Sequence, residues 1–233
     1  MKILAFYNLK TGSGKTAALV NLAYYATTCN HKVLVWDLDP QGHISTFLKP
    51  VPLNRKNRVK KNDAPQLSAT EMASQTTYDN LFIVTSGFGS PKVPFQDLLT
   101  SATVVYNYIF INCPPGLGLV HEAIFTAADT IVVPVVPETM SVRNYETIRT
   151  FLQKQRLSAK LQAYFSMVNL RDAHHGEMLE QFRRHPGFLR NYVPFLTDIG
   201  KMAGHHAPVM DFANEGYAAQ CFRDLWAELA GTT

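Results

Sequence analysis

The chain has 233 residues, of which 46% are hydrophobic and 17% are charged, with a formal net charge of +4. This composition predicts one globular domain over residues 1–233 and permits binding to a polyanion without requiring it. Three widely spaced cysteines argue against a disulfide framework, the chain start resembles no signal peptide, and no apolar run approaches the ~20 residues of a membrane span, so we expect a cytoplasmic protein.

A phosphate-binding loop is predicted near the start of the chain. Residues 3–7 are an apolar run typical of a buried strand, and residues 17–29 have the apolar spacing of a helix. Between them, Gly12 and Gly14 allow the backbone N–H groups to face phosphate oxygens, and the start of the helix favours negative charge. We expect Lys15 to neutralise the β- and γ-phosphates and the following threonine hydroxyl to take a Mg²⁺ position.

A second strand is predicted at residues 32–38, and it runs into the sequence DLDPQG at residues 37–42. Ligands of open α/β sheets bind at the carboxyl ends of the strands. Asp37 and Asp39 lie there, where carboxylates can support a Mg²⁺ shell or orient an attacking water. The competing interpretation is that Asp39 and Pro40 only form a turn.

Residues 49–62 carry six basic side chains and no acidic one, and their prolines and asparagines predict a loop. One interpretation is a contact with nucleic-acid phosphates through residues that include Arg55, Lys56 and Arg58. The other is a solvated insertion with a charge bias.

Strands and helices alternate through the rest of the chain. The strands are expected at residues 80–85, 107–112, 130–136 and 160–169, and Pro134 indicates an irregular or edge position. The helices are expected within residues 67–78 and at 95–105, 121–128, 140–155, 174–185 and 216–229, the last with Tyr217, Cys221, Leu225 and Leu229 facing inward. This alternation predicts an α/β fold with a doubly wound, mostly parallel sheet and helices on both faces.

Three motifs in this order, LKTGSGKT, DLDPQG and INCPPG, resemble those of the deviant-Walker ParA/MinD family of P-loop ATPases. The resemblance spans residues 2 to about 229, is nearest to the small ParA-type partition proteins, and implies the P-loop NTPase fold. It implies ATP binding by Lys10, Thr11, Gly12, Ser13, Gly14, Lys15, Thr16 and Ala17, with the base near Asn169 and Pro194.

The resemblance also implies a mechanism. Lys10 would reach the nucleotide of a partner subunit, while Lys15 and Asp39 act in hydrolysis and Thr16, Asp37 and Asn112 support Mg²⁺. Thr11 stands where the family usually has glycine. Asn112 stands where it usually has the Walker B aspartate, and because an amide carries no charge we expect a weak Mg²⁺-dependent ATPase.

The function implied is an ATP-dependent homodimer that binds non-specific DNA on the nucleoid, away from membranes, and partitions a plasmid, a chromosome or another cargo. A ParB-like partner would stimulate turnover. Phe195 replaces an arginine that some members use on DNA. The remaining DNA candidates are Arg183, Arg184, Arg190 and Lys201, although each can equally be a solvated charge.

Other classes stay open. A MinD-like protein would need a basic amphipathic helix at its C-terminus, and the last turn here is not basic. An iron–sulfur ATPase would need two suitable cysteines per chain, whereas only Cys113 lies near the motifs. Thr11 and Asn112 together also suit a module that binds ATP and scarcely hydrolyses it.

Overall fold

The computed structural model describes residues 1–51, 69–85, 99 and 102–231. Its strands are β1 (Lys2–Phe6), β2 (Val33–Asp37), β3 (Ser74–Gln75), β4 (Leu81–Val84), β5 (Tyr108–Asn112), β6 (Thr130–Val135), β7 (Lys160–Val168) and β8 (Val193–Pro194). Its helices are α1 (Lys15–Thr28), α2 (Ile44–Leu48), α3 (Ala69–Met72), α4 (Leu119–Ala127), α5 (Thr139–Lys154), α6 (Ala173–Phe182), α7 (Thr197–His205), α8 (Val209–Phe212) and α9 (Tyr217–Ala230).

The strands form one eight-stranded sheet in the order β3-β4-β2-β5-β1-β6-β7-β8. Neighbouring strands run parallel except for β3, which pairs antiparallel with β4. All five residues of β2 and of β5 are buried. This is the pattern of a parallel sheet covered on both faces, so the predicted mostly parallel sheet is confirmed.

Helices cover both faces of the sheet because the strands send alternate side chains to opposite sides. In β1, Ile3 and Ala5 join a core cluster that also contains residues of α4, α5 and α6. Leu4 and Phe6 join the cluster on the other face, which contains residues of α1, α7 and α9. The doubly wound arrangement is therefore confirmed.

The strand register brings polar residues of two motifs together at one edge of the sheet. Asn112, the last residue of β5, lies beside Phe6 of β1 on one side and beside Asp37 of β2 on the other. The connections that follow β1, β2 and β5 therefore leave the sheet at the same carboxyl edge, where ligands of such folds bind.

Residues 67–78 were expected to hold a short helix, and α3 lies there, followed by Ser74 and Gln75, which form a strand because they pair with β4. Two local predictions need correction. Of the helix expected at 95–105, most lies outside the described residues, and residues 102–105 form a turn. Tyr217 does not face inward, since 59% of its surface is exposed, whereas Cys221, Leu225 and Leu229 are buried.

Pro134 was expected at an irregularity or an edge, but it lies in β6, inside the sheet, and its register with Tyr164 of β7 is regular. The pairing of β6 with β1 ends at Val132. Beyond that point the side-chain amide of Asn8 donates to the carbonyl of Pro134. Because β1 has ended at this point, it presents no backbone carbonyl that would need an N–H donor from residue 134. A proline, which has no N–H group, is therefore tolerated there.

The structure also contains α2, α7 and α8, which the apolar spacing did not predict. α2 and α8 have only five and four residues, which is too short for apolar spacing to show, and the nine residues of α7 were not recognised either. No helix in residues 1–51, 69–85 and 102–231 is both long and apolar enough to cross a membrane.

Candidate nucleotide-binding site

The connection between β1 and α1 has the backbone geometry of a phosphate-binding loop. Gly12 and Gly14 adopt left-handed conformations, with φ values of 75° and 83°. Gly14 is the N-cap of α1, and no side chain caps the helix there. The first N–H groups of α1 are therefore available to an anion, and the helix dipole favours negative charge at the same place.

Gly14 is also required by packing. A Cβ atom at this position would lie 2.7 Å from Oγ of Ser166, a buried residue of β7. Ser13 is buried as well, and its hydroxyl oxygen has no hydrogen-bond partner within the described residues. A buried hydroxyl of this kind normally has a partner, and a bound phosphate would provide one.

Lys15 joins the three connections that leave the carboxyl edge. Its ammonium nitrogen lies 3.5 Å from Oδ2 of Asp39, which follows β2, and donates to the carbonyl oxygen of Cys113, which follows β5. The Lys15 and Asp39 side chains are only 14% and 17% exposed. A cation and a carboxylate are thus held together where charged oxygens of a nucleotide would bind.

A cavity of about 520 Å³ opens beside this pair. Its lining includes all eight residues from 10 to 17 that were predicted to bind ATP, together with Asp39. It also includes residues that were not predicted: Asn8, Pro40, Gln41, His43 and Pro115. Gln41 lies within the second motif and His43 directly follows it, so the motif was a signal that could have identified them.

The two residues predicted to support Mg²⁺ at the strand ends are in direct contact. The Asn112 side-chain nitrogen donates to Oδ1 of Asp37 over 2.7 Å, and both side chains are 2% exposed. Burial raises the pKa of Asp37, and hydrogen bonds from Asn112 and from the backbone N–H groups of Asp39 and Ile44 oppose that rise. Asn112 therefore acts as a hydrogen-bond donor that favours the ionised form of Asp37.

The donor set fits Mg²⁺, which prefers hard oxygen ligands and keeps several waters. The side-chain oxygen of Asn112 is buried without a hydrogen-bond partner in the described part of the chain, so it can accept from a metal-bound water. Thr16 lines the phosphate cavity at the start of α1. With nucleotide bound, Mg²⁺ would neutralise phosphate charge, while Thr16, Asp37 and Asn112 would hold it directly or through water.

A second, mainly apolar cavity of about 560 Å³ shares Gly12, Gly14 and Ala17 with the first. Its lining includes Pro194, which was predicted to lie near the base, and Met167 of β7. Asn169, the other residue predicted near the base, is not among the lining residues. It is exposed, and its side-chain oxygen accepts from the backbone N–H of Arg171.

Lys10 is exposed at the carboxyl edge of the sheet. Its ammonium nitrogen lies 3.6 Å from Oε2 of Glu138, the N-cap residue of α5, and the two side chains are 56% and 50% exposed. Exposed pairs of this kind contribute little stability, so Lys10 can leave Glu138 at small cost. Its neighbour Thr11 also lines the phosphate cavity.

The connection after β5 comprises residues 113–118, of which 116–118 resemble a loop of the ParA/MinD family that senses the γ-phosphate, and it is named the switch loop for that resemblance. Tyr7 donates its hydroxyl to the carbonyl of Gly116, and His121 lies 3.0 Å from the carbonyl of Pro114. Neither side chain was predicted to belong to the site. Tyr7 was predicted at the end of an apolar strand and His121 at the start of a helix. Neither position indicated that the side chain would contact the switch loop.

Thiolate chemistry is disfavoured at the one cysteine near the site. Cys113 is fully buried at the start of the switch loop, and burial raises the pKa of its thiol to about 12. A thiol that stays protonated at neutral pH is a poor nucleophile.

The predicted DNA contacts fall into two places. Arg183, Arg184 and Arg190 line one groove of about 660 Å³, whereas Lys201 lines the apolar cavity next to the phosphate loop. Lys201 is also paired with Asp198 at 2.8 Å. Arg55, Lys56 and Arg58 lie outside the described residues.

Comparison with known proteins gives concordant results. A protein-family profile described as an AAA domain matches residues 1–163. The chromosome-partitioning ATPase Soj of Treponema pallidum is 25% identical to this chain over 98% of the chain and 96% of its own length.

Two solved structures share the fold at lower identity. A putative plasmid partition protein of Borrelia burgdorferi bound to AMPPNP is 18% identical, covers 100% of this chain and 99% of its own, and gives a TM-score of 0.81. The cell division ATPase MinD of Pyrococcus furiosus is 20% identical, covers 100% and 99%, and gives a TM-score of 0.80.

Proposed function

Because the chain belongs to the ParA/MinD family of P-loop ATPases, we propose that it is an ATP-dependent switch that partitions a plasmid or chromosome, or positions another cargo, on the nucleoid. The switch would form a homodimer with Mg²⁺ and ATP, bind non-specific DNA in that state and leave it after hydrolysis. The observation that carries this proposal is the position of Lys15 between the phosphate loop, Asp39 and the switch loop.

Nucleotide binding is supported by two adjoining cavities of suitable chemistry. The phosphate loop, Lys15 and Thr16 line the more polar cavity, where the triphosphate would bind. The apolar cavity bordered by Pro194 would take the base, and Gly12, Gly14 and Ala17 lie between the two. A neighbour of the same fold is described as bound to AMPPNP, an ATP analogue.

Hydrolysis would depend on Asp39. In the structure, Asp39 is paired with Lys15 at 3.5 Å. A triphosphate would offer Lys15 stronger anionic partners, which would free Asp39 to orient the attacking water. We propose slow turnover, because Asn112 brings no negative charge to the Mg²⁺ shell.

A homodimer built on the carboxyl edge of the sheet is supported by what that edge exposes. Lys10 follows β1, and the large apolar side chains of Leu119 and Met140 lie in the elements that follow β5 and β6, the strands on either side of β1. Leu119 is 85% exposed and Met140 is 59% exposed. A partner subunit placed here would cover apolar surface and bring Lys10 towards its nucleotide.

Contacts with DNA would come from Arg183, Arg184 and Arg190, which line one groove. Their three positive charges outnumber the negative charge of Glu180, which lies in the same groove and pairs with Arg183. Arg55, Lys56, Arg58 and Lys201 would add further phosphate contacts. A ParB-like partner would stimulate hydrolysis and so release the dimer from the nucleoid.

The alternative is an ATP-binding positioning protein on another scaffold, either MinD-like or poor in hydrolysis. Thr11 and Asn112 favour the form that is poor in hydrolysis. Thr11 adds a side chain to the loop near the proposed dimer contact, and Asn112 removes a charge from the metal shell.

The test is binding to a non-specific DNA duplex by fluorescence polarisation, with Mg²⁺-ATP, with Mg²⁺-ADP and without nucleotide. Salt is held constant because phosphate contacts make the affinity steeply salt-dependent. We expect tight binding only with ATP. Light scattering under the same conditions should then report a dimer with ATP and a monomer without it.

Three variants assign the roles. Lys15→Ala should abolish nucleotide binding, Lys10→Ala should keep nucleotide binding and lose the dimer, and Asp39→Ala should hold the DNA-bound state by preventing hydrolysis. DNA binding that ignores the nucleotide, or no binding at all, would reject the switch on DNA. ATP binding without dimer formation would support the ATP-binding module instead.

A further inference from the structure

Two buried side chains outside the three motifs hold the switch loop, residues 113–118, from its inner side. Tyr7 donates to the carbonyl of Gly116, and Nε2 of His121 lies 3.0 Å from the carbonyl oxygen of Pro114. A carbonyl oxygen can only accept, so Nε2 of His121 carries the proton. The two donors therefore act on carbonyls that are two residues apart in the same loop.

The donors are fixed by packing. Tyr7 is 0% exposed and His121 is 5% exposed, and their ring centres are 5.1 Å apart. The ring of Phe125 lies 5.1 Å from Tyr7 and 6.0 Å from His121. Neither donor can turn to water, and burial also lowers the pKa of His121, which favours the neutral ring.

The same contacts connect the switch loop to the phosphate loop. Tyr7 directly follows β1, and its backbone N–H donates to the carbonyl of Val132 over 3.0 Å. On the other side, Lys15 donates to the carbonyl of Cys113. The carbonyls of Cys113, Pro114 and Gly116 are thus all engaged by donors from the β1–α1 region and from α4.

These contacts set the direction of a backbone N–H group. In a planar trans peptide the C=O of one residue and the N–H of the next point in opposite directions. The carbonyl of Gly116 faces Tyr7, so the N–H of Leu117 faces away from it. Loss of the Tyr7 hydrogen bond would let this peptide rotate and would change the direction of that donor. The His121 hydrogen bond holds the preceding Pro114–Pro115 peptide, which has no N–H group, and so fixes the position of the loop two residues earlier.

We propose that Tyr7 and His121 are positioning residues that hold the switch loop in the arrangement that responds to the γ-phosphate of ATP. The inference rests on the proposed function, because it assigns the switch loop a part in hydrolysis. Neither residue belongs to the lining of the nucleotide cavity, so each acts through the loop alone.

The kinetic test uses Tyr7→Phe, which removes only a hydroxyl group, and His121→Leu, which removes the ring donor at similar volume. Each should lower kcat on the order of tenfold, the effect of one lost hydrogen bond, while KM for ATP changes less than about twofold. His121→Gln keeps an N–H donor and should recover most of the loss. Unchanged kcat in both Tyr7→Phe and His121→Leu, or a glutamine variant as slow as the leucine variant, would overturn the proposal.

A second readout needs no ATPase activity. Amide hydrogen exchange in nucleotide-free protein should accelerate on the order of tenfold in residues 116–118 of Tyr7→Phe and His121→Leu. Tyr106→Phe is the matched control, because Tyr106 is also a buried tyrosine but precedes β5 at the opposite edge of the sheet. If the wild type does not hydrolyse ATP, the proposed function fails while this exchange still decides the inference. Equal exchange in all variants would reject it.

Discussion

Replacing Asn112 by aspartate restores the residue that the related family usually has. In this protein, however, the replacement would remove a hydrogen bond. Asn112 donates to Asp37 over 2.7 Å, and both side chains are 2% exposed. The carboxylate of the Asn112→Asp variant would have nearly the same shape as the amide and no donor when ionised. Two carboxylates this close cannot both be ionised without a cation, so the pair would hold a proton at neutral pH.

The magnitude follows from the lost contact. A hydrogen bond to a charged group contributes about 1.5–3 kcal/mol. A protein of this size loses roughly 2–4 °C of Tm per kcal/mol, so we expect Asn112→Asp to lower Tm by about 3–12 °C without Mg²⁺.

The loss should depend on pH. Burial already raises the pKa of Asp37, and a second carboxyl group would raise it further. A carboxyl group with a raised pKa in the folded state stabilises the fold below its unfolded pKa of about 3.9. This stability is lost as pH rises through the folded pKa. The stability difference between variant and wild type should therefore grow from pH 5 to pH 8.

Mg²⁺ should reverse the effect, because the cation supplies the charge that the carboxylate pair lacks. Thermal unfolding from pH 5 to pH 8, with and without Mg²⁺ and ATP, measures the stability change. A Mg²⁺ titration of ATP hydrolysis should show half-maximal activity at a lower metal concentration in the variant. Asn107→Asp is the control, since it adds the same charge on an exposed residue just before β5.

Equal Tm values for Asn112→Asp and Asn107→Asp without metal would refute the contact with Asp37. An unchanged Mg²⁺ titration would refute the role of residue 112 in the metal shell. The two results are independent, so each part of the reasoning can fail alone.

Three further outcomes are expected. Gly14→Ala should lose more nucleotide binding than Gly12→Ala, measured with a fluorescent ATP analogue. Both glycines have positive φ, but a Cβ at Gly14 would lie 2.7 Å from Oγ of Ser166, whereas a Cβ at Gly12 would have no described atom within 4 Å. Asn21→Leu should lower the free energy of unfolding by about 1–3 kcal/mol in urea, because the buried Asn21 side chain accepts from the backbone N–H of Val209; an unchanged midpoint would contradict this. Wild-type stability should fall as pH drops below about 6.5, because burial lowers the pKa of His121 and protonation then costs folding energy, and His121→Gln should show a smaller fall.

The sequence by itself determined the core of the fold and the outline of the site. The apolar runs that became β1, β2, β5 and β6 were nearly continuous, because strands covered on both faces are mostly apolar. The eight residues from 10 to 17 are consecutive, so their joint position follows from the loop itself. Motifs placed directly after strands also indicated which edge of the sheet would hold the site.

Other features depended on contacts between distant parts of the chain. Ser74 and Gln75 are extended because β4 pairs with them, and Pro134 is accommodated because β1 ends beside it. The short helices α2, α7 and α8 gain stability from packing rather than from their own sequence, since helices of this length are marginal in isolation.

The chemistry of individual site residues was likewise decided only by the tertiary structure. Asn112 was recognised as a replacement for an acid, but its donation to Asp37 requires β2 and β5 to be neighbours in register. Tyr7 and His121 are 114 positions apart in the chain, and they meet only because β1 and α4 pack together. A hydrogen bond depends on the separation and direction of two groups, and for residues distant in the chain both are set by the packing of the elements that carry them.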